Sequence, residues 1–379
     1  MNKNVVIAGY ARSPFHFAKK GDLIKVRPDD LVAAAVKGLV ERSGVNPDGI
    51  EDLILGCAFP EGEQGLNMAR LVVMLAGLPR SVGGTTVNRF CGSSMQAIHM
   101  AAGAIQLGAG DVFVCAGVES MTRVPMMGFN PLPNPALAEA EAGAYMPMGT
   151  TAENLARKYQ ITRKAQEEFA VESHRKAAAA QEAGKLDAEI VPIETKGGLV
   201  DKDGCIRPDT SLEALAELRP AFDEDGTVTA GTSSPLTDGA SATLVASEDY
   251  AKANGLTVMA RLRSVAIAGC DPTIMGIGPV GATRKALKRA GVELADIDII
   301  ESNEAFAVQT MSVAQELGMD LSKVNLDGGA IALGHPLGAT GARITGKAAA
   351  LLQREGKELA LSTQCIGGGQ GIATILEAA

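Results

Sequence analysis

One numerical offset ties the two ends of this chain together. Adding 247 to the residue number lays Gly38-Leu-Val-Glu-Arg-Ser-Gly44 on Lys285-Ala-Leu-Lys-Arg-Ala-Gly291, Val45 on Val292, Ile50 on Ile297 and Leu53 on Ile300. The same offset lays Ala101-Ala102 on Ala348-Ala349, Gln106 on Gln353 and Asp111-Val-Phe-Val114 on Glu358-Leu-Ala-Leu361. Matches in separate stretches without a gap mark two copies of one structural unit. Duplicated units commonly face each other about a pseudo-twofold axis, so corresponding turns are expected to converge at their interface. In the first copy, strand signals at 5–8, 52–55, 84–87 and 112–116 alternate with helix signals at 29–43, 67–76 and 95–107. This alternation predicts an α/β layered unit with a largely parallel sheet.

Residues 119–234 have no counterpart in the repeat. They hold a Pro- and Met-rich loop at 124–148, a helix expected to open on a capping box in Thr150-Thr151-Ala-Glu153, a long polar helix at 163–183, and a charged, glycine-dotted stretch at 196–226. A strand at 240–246 then returns the chain to the first unit. The expected division is a first half at 1–118 plus 235–258, an inserted α-rich loop domain at 119–234, and a second half at 259–379. Insertions of this kind, laid over a rigid scaffold, are where small-molecule specificity resides.

Composition excludes several function classes. A net charge of −9 without a basic block, no Trp and only 3% aromatic residues argue against a nucleic-acid partner. No apolar run is long enough to span a membrane, and Met-Asn-Lys-Asn-Val-Val-Ile reads as a first strand, not a signal peptide. The expected location is the cytoplasm. Six cysteines without a CxxC pair suggest neither a disulfide framework nor a metal site.

Four groups carry candidate chemistry. Cys91, in Asn88-Arg-Phe-Cys-Gly-Ser-Ser94, sits between a strand and a helix, where unpaired backbone N–H groups are expected to lower a thiol pKa. Taken alone it would more often be an inert buried cysteine. The offset, however, pairs Cys91 with Gly338, in a twin turn that carries His335 three residues earlier. Cys365 follows the strand signal at 358–363 and precedes three glycines, which let backbone N–H groups approach a ligand. Asn303 ends the strand signal at 297–300. All four lie at carboxyl ends of strands, where ligands collect in α/β sheets. His99 reads as a satisfied core histidine, His174 as a solvent-facing residue of a polar helix, and Cys57, Cys115, Cys205 and Cys270 as structural.

These blocks resemble the thiolase family over essentially the whole chain. Asn325-x-x-Gly-Gly-x-Ile-Ala-x-Gly-His335-Pro-x-Gly-x-Thr-Gly341 is similar to the family's histidine motif, and Cys91-Gly-Ser-Ser, Asn303-Glu-Ala-Phe and Cys365-Ile-Gly-Gly-Gly to its other three. Gln364 departs from the pattern, which has an apolar residue before the second cysteine. The resemblance implies a five-layer α/β fold of two similar halves about a pseudo-twofold axis. It implies Cys91 as nucleophile, His335 as its base and Cys365 as acid and base. One oxyanion site would be formed by His335 with a water on Asn303, the other by the N–H groups of Cys91 and Gly367. Ser234 would contact the pantetheine of coenzyme A, and Arg207 its adenosine diphosphate end. Arg89 after Asn88, and Pro147 and Met148 in place of a histidine-bearing wall, resemble the degradative type that cleaves 3-ketoacyl-CoA of varied length. Acetoacetyl-CoA thiolase is the alternative. Condensing synthases lack a counterpart of Cys365, and a non-catalytic acyl-CoA carrier would not retain all four groups. The resemblance further implies acyl-CoA and CoA as ligands and no cofactor beyond CoA as substrate. It implies a homodimer or homotetramer, and a possible complex with a hydratase/dehydrogenase subunit.

Overall fold

A computed structural model describes residues 3–141 and 143–379. Met1 and Asn2 of the N-terminal reading and Ala142 of the 124–148 loop lie outside the described residues. In the first half, β1 (Val5–Arg12) and a short β2 (His16–Phe17) precede α1 (Pro28–Ser43), β3 (Asp52–Gly56) and α2 (Met68–Leu75). Then come β4 (Gly83–Val87), α3 (Ser93–Leu107) and β5 (Val112–Ser120). The following segment carries α4 (Pro135–Ala140), α5 (Met148–Tyr159), α6 (Arg163–Glu182), the ribbon β6 (Ile193–Thr195) and β7 (Gly198–Val200), and α7 (Leu212–Ala216). β8 (Thr237–Ser247) and α8 (Glu248–Ala253) lead into the second half. This comprises β9 (Ala260–Gly269), α9 (Gly278–Ala290), β10 (Ile299–Ser302), α10 (Ala307–Leu317), the single turn α11 (Ala330–Leu333), α12 (Leu337–Glu355), β11 (Leu359–Ile366) and β12 (Gln370–Glu377). Among the described residues, no helix is long and apolar enough to cross a membrane.

The repeat is written into the helix terminators. Both α1 and α9 carry proline in the first turn and close on a left-handed glycine, Gly44 at φ +69° and Gly291 at φ +68°. The strands pair in the order β10-β11-β12-β9-β1-β8-β5-β3-β4. Outward from the β9–β1 contact, the series β9, β12, β11, β10 repeats β1, β8, β5, β3, which places the pseudo-twofold axis between β1 and β9. Helices α1 and α2 cover one face of the first half through Leu31, Leu39 and Val72. Helices α9 and α10 cover the second half through Val280, Leu287 and Val313. Between the halves α3 and α12 pack on each other, with Ile98, Ile105, Leu351 and Leu352 in one shared core. Five layers result: helices, strands, helices, strands, helices.

The sheet is mixed, contrary to the largely parallel arrangement that the alternation suggested. β3 is parallel to β4 and β5, and β10 is parallel to β11. β8, however, lies antiparallel between β1 and β5, and β12 antiparallel between β9 and β11. The cause in the second half is local. Gly367-Gly-Gly369, with Gly368 at φ +78° and Gly369 at φ +81°, makes a hairpin too short for a crossover helix.

The expected capping box does not form. α5 starts earlier, at Met148, and the Glu153 carboxylate instead accepts the N–H groups of Thr227 (3.0 Å) and Val228 (2.8 Å), pinning a distant loop. Buried ions fasten the segment after α6 to the scaffold. Arg12 on β1 donates to Glu189 (2.8 Å) and through both terminal nitrogens to Asp203 (2.7 Å each). Lys347 on α12 bridges Glu189 (2.9 Å) and Asp327 (2.7 Å). Burial alone would lower the Lys347 pKa, but the two carboxylates hold it above its usual value.

Candidate active site

The Cys91 turn is held by its neighbours. Phe90 takes a left-handed φ of +42°, rare for a non-glycine residue. It is fixed by Asn88 Oδ1, which accepts its N–H (2.8 Å), and by Ser93 Oγ, which donates to its carbonyl (2.6 Å). Gly92 is required next, since a Cβ there would lie 2.6 Å from Ile366. Cys91 is thereby buried at the head of α3. The thiol pKa is not lowered, as the helix start suggested, but raised to about 11. Burial outweighs the N–H groups of Gly367 and of Cys91 itself, which lie against the sulfur and pull the other way.

The twin turn fixes the proton on His335. Gly334 at φ +105° turns the chain, and the His335 N–H donates to Thr237 Oγ1 (3.1 Å). Nδ1 lies 2.5 Å from Thr340 Oγ1, whose hydroxyl also faces the Pro336 carbonyl (3.1 Å). Asn303 Nδ2, 3.3 Å from Nε2, can only donate, which places the imidazole proton on Nδ1, facing Thr340. Nε2 then carries the lone pair and accepts from Asn303 Nδ2 (3.3 Å). Burial, and next the Arg343 guanidinium, push the His335 pKa down to about 3, so the imidazole is neutral.

The other expected residues divide. Burial, and next the Cys91 sulfur, hold the Cys365 pKa well above its usual value. Gly367 faces Met148 and Phe90: a Cβ on it would stand 3.5 Å from Met148 Sδ and 3.6 Å from the Phe90 ring. Met148 and Phe306 pack with Cys365, and Leu337, two residues after His335, packs with Cys91. Ser234 donates its N–H and Oγ to the Ala305 carbonyl (3.0 Å each), on the loop that begins at Asn303. Arg207 stands apart, exposed and stacked 5.0 Å over the Phe17 ring. His174 does not face solvent. It is 3% exposed, because α6 packs on α11, and its Nδ1 accepts the Arg207 N–H at 3.1 Å. His99 is partly buried and bonded to Thr374 Oγ1 (2.8 Å).

Cys91 and Cys365 thus influence each other, and a neutral His335 faces Asn303, on segments drawn from both halves of a duplicated chain. Residues 5–249 match the thiolase N-terminal domain and residues 256–378 the thiolase C-terminal domain. The chain belongs to the thiolase family. Among its relatives, 3-ketoacyl-CoA thiolase of Bacillus subtilis (strain 168) is 49% identical over 99% of each chain. That of Shewanella loihica (strain ATCC BAA-1088 / PV-4) is 52% identical over 100% of each. The crystal structure of human mitochondrial 3-ketoacyl-CoA thiolase in complex with CoA superposes with a TM-score of 0.92 at 39% identity, covering 100% of this chain and 98% of that one.

Sequence reasoning missed the carboxylates that support this thiolase site. Glu119, buried at the end of β5, accepts N–H groups from Ala58 (2.9 Å), Phe59 (3.2 Å) and Gly338 (3.0 Å), and an amide proton from Gln64 (2.7 Å). Glu304 accepts from Ser173 Oγ (2.6 Å), Asn325 Nδ2 (2.7 Å) and the Ile331 N–H (3.2 Å), bracing the loop that delivers His335. The available signal for Glu119 was a lone charge ending an otherwise apolar strand. The repeat shows its meaning. Glu119 accepts the N–H of Gly338; their partners under the offset are Ile366 and Cys91. An apolar residue thus stands where the first copy has a carboxylate, leaving the Cys91 N–H without that acceptor.

Proposed function

We propose that this thiolase cleaves 3-ketoacyl-CoA with CoA, releasing acetyl-CoA and an acyl-CoA shortened by two carbons. The observation that carries the reading is a buried, neutral His335 imidazole whose Nε2 lies 3.3 Å from Asn303 Nδ2. Cys91 and His335 rest as a neutral thiol and imidazole. As the thiolate attacks the keto carbon, Nε2 takes the thiol proton. The bond between the α and β carbons breaks, acetyl-CoA leaves as its enolate, and the Cys365 thiol protonates it. The Cys365 thiolate then takes the proton of the incoming CoA thiol, whose sulfur displaces the acyl group from Cys91.

Charge developing on the ketone oxygen is met by the N–H groups of Cys91 and Gly367, and charge on the enolate by His335 with a water on Asn303. Asn303 Oδ1 is buried without a protein partner among the described residues, in keeping with such a water. Ser234 contacts pantetheine and Arg207 the adenosine diphosphate end, where its stacked guanidinium leaves donors for phosphate. Met148 forms an adaptable apolar wall for the acyl tail. In this reading 119–234 is the domain that covers the site, set between a nucleophile half (1–118 plus 235–258) and a half bearing His335, Asn303 and Cys365 (259–379). The chemistry needs no cofactor beyond CoA as substrate. The bacterial relatives fit a cytoplasmic enzyme. Edge strand β4, only half buried, fits pairing with a second copy in a homodimer.

The test is CoA-dependent cleavage of 3-ketoacyl-CoA with four, eight, twelve and sixteen acyl carbons, with Cys91→Ala as control. Activity that persists or rises with chain length and vanishes in the control is expected. Activity on acetoacetyl-CoA alone would move the reading to the short-chain enzyme, and cleavage of none would refute it.

A further inference from the structure

We infer that Gln364 is a positioning residue for the nucleophile: from β11 it holds the Cys91 carbonyl and so sets the direction in which the Cys91 side chain leaves its turn. The Gln364 side chain is wholly buried, and its Nε2 donates to the Cys91 carbonyl. Among the described residues no other donor reaches that oxygen. The neighbouring carbonyls are already engaged. Arg89 accepts from Gly92 (2.9 Å), Phe90 from Ser93 (3.1 Å) and Gly92 from Gln96 (2.9 Å). Cys91 is therefore the one residue of the turn whose carbonyl depends on a side chain from the other half of the molecule.

The duplication gives the same placement independently. The offset pairs Gln364 with Gly117 and Cys91 with Gly338. A Cβ on Gly117 would lie 2.1 Å from the Gly338 carbonyl oxygen. In both copies this strand position is aimed at the carbonyl of the opposing turn. The first copy leaves no room for a side chain, whereas the second holds one that can donate a proton.

Fixing the Cys91 carbonyl fixes ψ at Cys91, while the bonds around Phe90 and Ser93 fix the chain on either side. The Cα–Cβ direction then has one orientation relative to the Gly367 N–H. Because Gln364 precedes Cys365 in the chain, the same side chain ties the two sulfurs into one frame. Packing does not account for it. Its Oε1 is buried without a partner among the described residues, an arrangement that costs stability. An apolar side chain of similar size would remove that orphaned oxygen but would strip the Cys91 carbonyl of its donor, so the two effects on stability offset each other and turnover is the quantity that isolates positioning.

This inference rests on the thiolase reading above, and its test separates the two. Wild type, Gln364→Leu and Gln364→Glu are compared for kcat and KM in thiolysis, for melting temperature, and for the rate at which iodoacetamide alkylates Cys91, read by peptide mass. Gln364→Leu is expected to lower kcat and the alkylation rate about tenfold, with KM within about twofold and the melting temperature within a few degrees of wild type. Gln364→Glu separates positioning from packing by pH. Its buried carboxyl keeps a proton to donate at acidic pH and repels the carbonyl once ionised, so kcat relative to wild type rises as pH falls. Wild-type kcat and alkylation in Gln364→Leu, or turnover lost in step with melting temperature, would overturn the inference, as would a wild-type pH profile for Gln364→Glu. If Gln364→Leu does not fold, the Gln364→Glu ratio decides. Absence of thiolysis in the wild type would refute the reading instead, and alkylation of Cys91 still reports on the turn.

Discussion

Replacing Thr340 by valine deletes one hydroxyl and tests the proton arrangement on which the mechanism depends. In the wild type that hydroxyl receives Nδ1–H of His335 at 2.5 Å and passes its own proton to the Pro336 carbonyl at 3.1 Å. Valine keeps the branched shape but offers a methyl group. Nδ1–H is then a buried donor without an acceptor, at a cost of about 1–3 kcal/mol. The imidazole escapes this cost by moving its proton to Nε2, where it meets Asn303 Nδ2, itself a donor, unless the amide turns its unpartnered Oδ1 inward. At about 1.4 kcal/mol per tenfold, the reactive tautomer falls by a factor of about 5 to 150. The expected loss in kcat is about 10- to 100-fold, with KM within about threefold because the tautomer matters to proton transfer and not to CoA binding. The assay is steady-state thiolysis of a medium-chain 3-ketoacyl-CoA, with iodoacetamide inactivation as a substrate-free measure of Cys91 activation. Thr340→Ser, which restores the acceptor, should recover most of both. A valine variant within twofold of wild type, or a serine variant as impaired as valine, would refute the reasoning.

Gly117→Ala should lower the urea midpoint by the equivalent of about 2 kcal/mol or more, because its Cβ meets the Gly338 carbonyl at 2.1 Å and backbone there cannot yield cheaply. An unchanged midpoint would show that the two turns are not packed as described. Lys347→Met leaves Glu189 and Asp327 buried with one cation fewer, and chemical denaturation should show a loss of about 3 kcal/mol. The His174 pKa is pushed down to about 4, first by burial and then by Arg207. Its stabilising contribution is therefore complete above the unfolded value near 6.5 and lost as pH falls toward 4, by at most about 3 kcal/mol. His174→Gln, which can still accept the Arg207 N–H, should flatten the stability profile between those pH values; an unaltered profile would place the acid sensitivity elsewhere.

Some features were legible in the sequence because their physics is local or periodic. The left-handed glycines that end α1 and α9 stand 247 residues apart, so the repeat could be read from the terminators alone. Cys91 and Asn303 follow strands and Cys365 stands near the end of one, as the sequence suggested, whereas His335, expected at a strand end, instead follows the helical turn α11. What failed needed long-range information. Glu119 matters through a bond to Gly338, 219 residues away, and nothing beside it in the chain reveals that partner. His174 lies on a helix of polar composition, whose buried face is set by α11 and not by its own residues. The three glycines after Cys365 were read for close approach to a ligand; their second role, turning the chain back as a hairpin, changes the direction of β12 and with it the character of the sheet. At Cys91 the local argument from the helix start gave the wrong sign, because burial depends on everything packed around the turn.

The unequal ends of β5 and β11 bear on how such a molecule can diversify. In an assembly of two identical subunits, a residue such as Glu119 would recur at both symmetry-related positions. Each turn would be sealed alike, and any substitution that opened one would open the other. Joined in a single polypeptide, the mirror positions are inherited separately. Glu119 clamps the turn that presents His335 while Ile366 leaves the Cys91 N–H without such an acceptor, so two sister copies of one piece of architecture hold their functional groups in different ways.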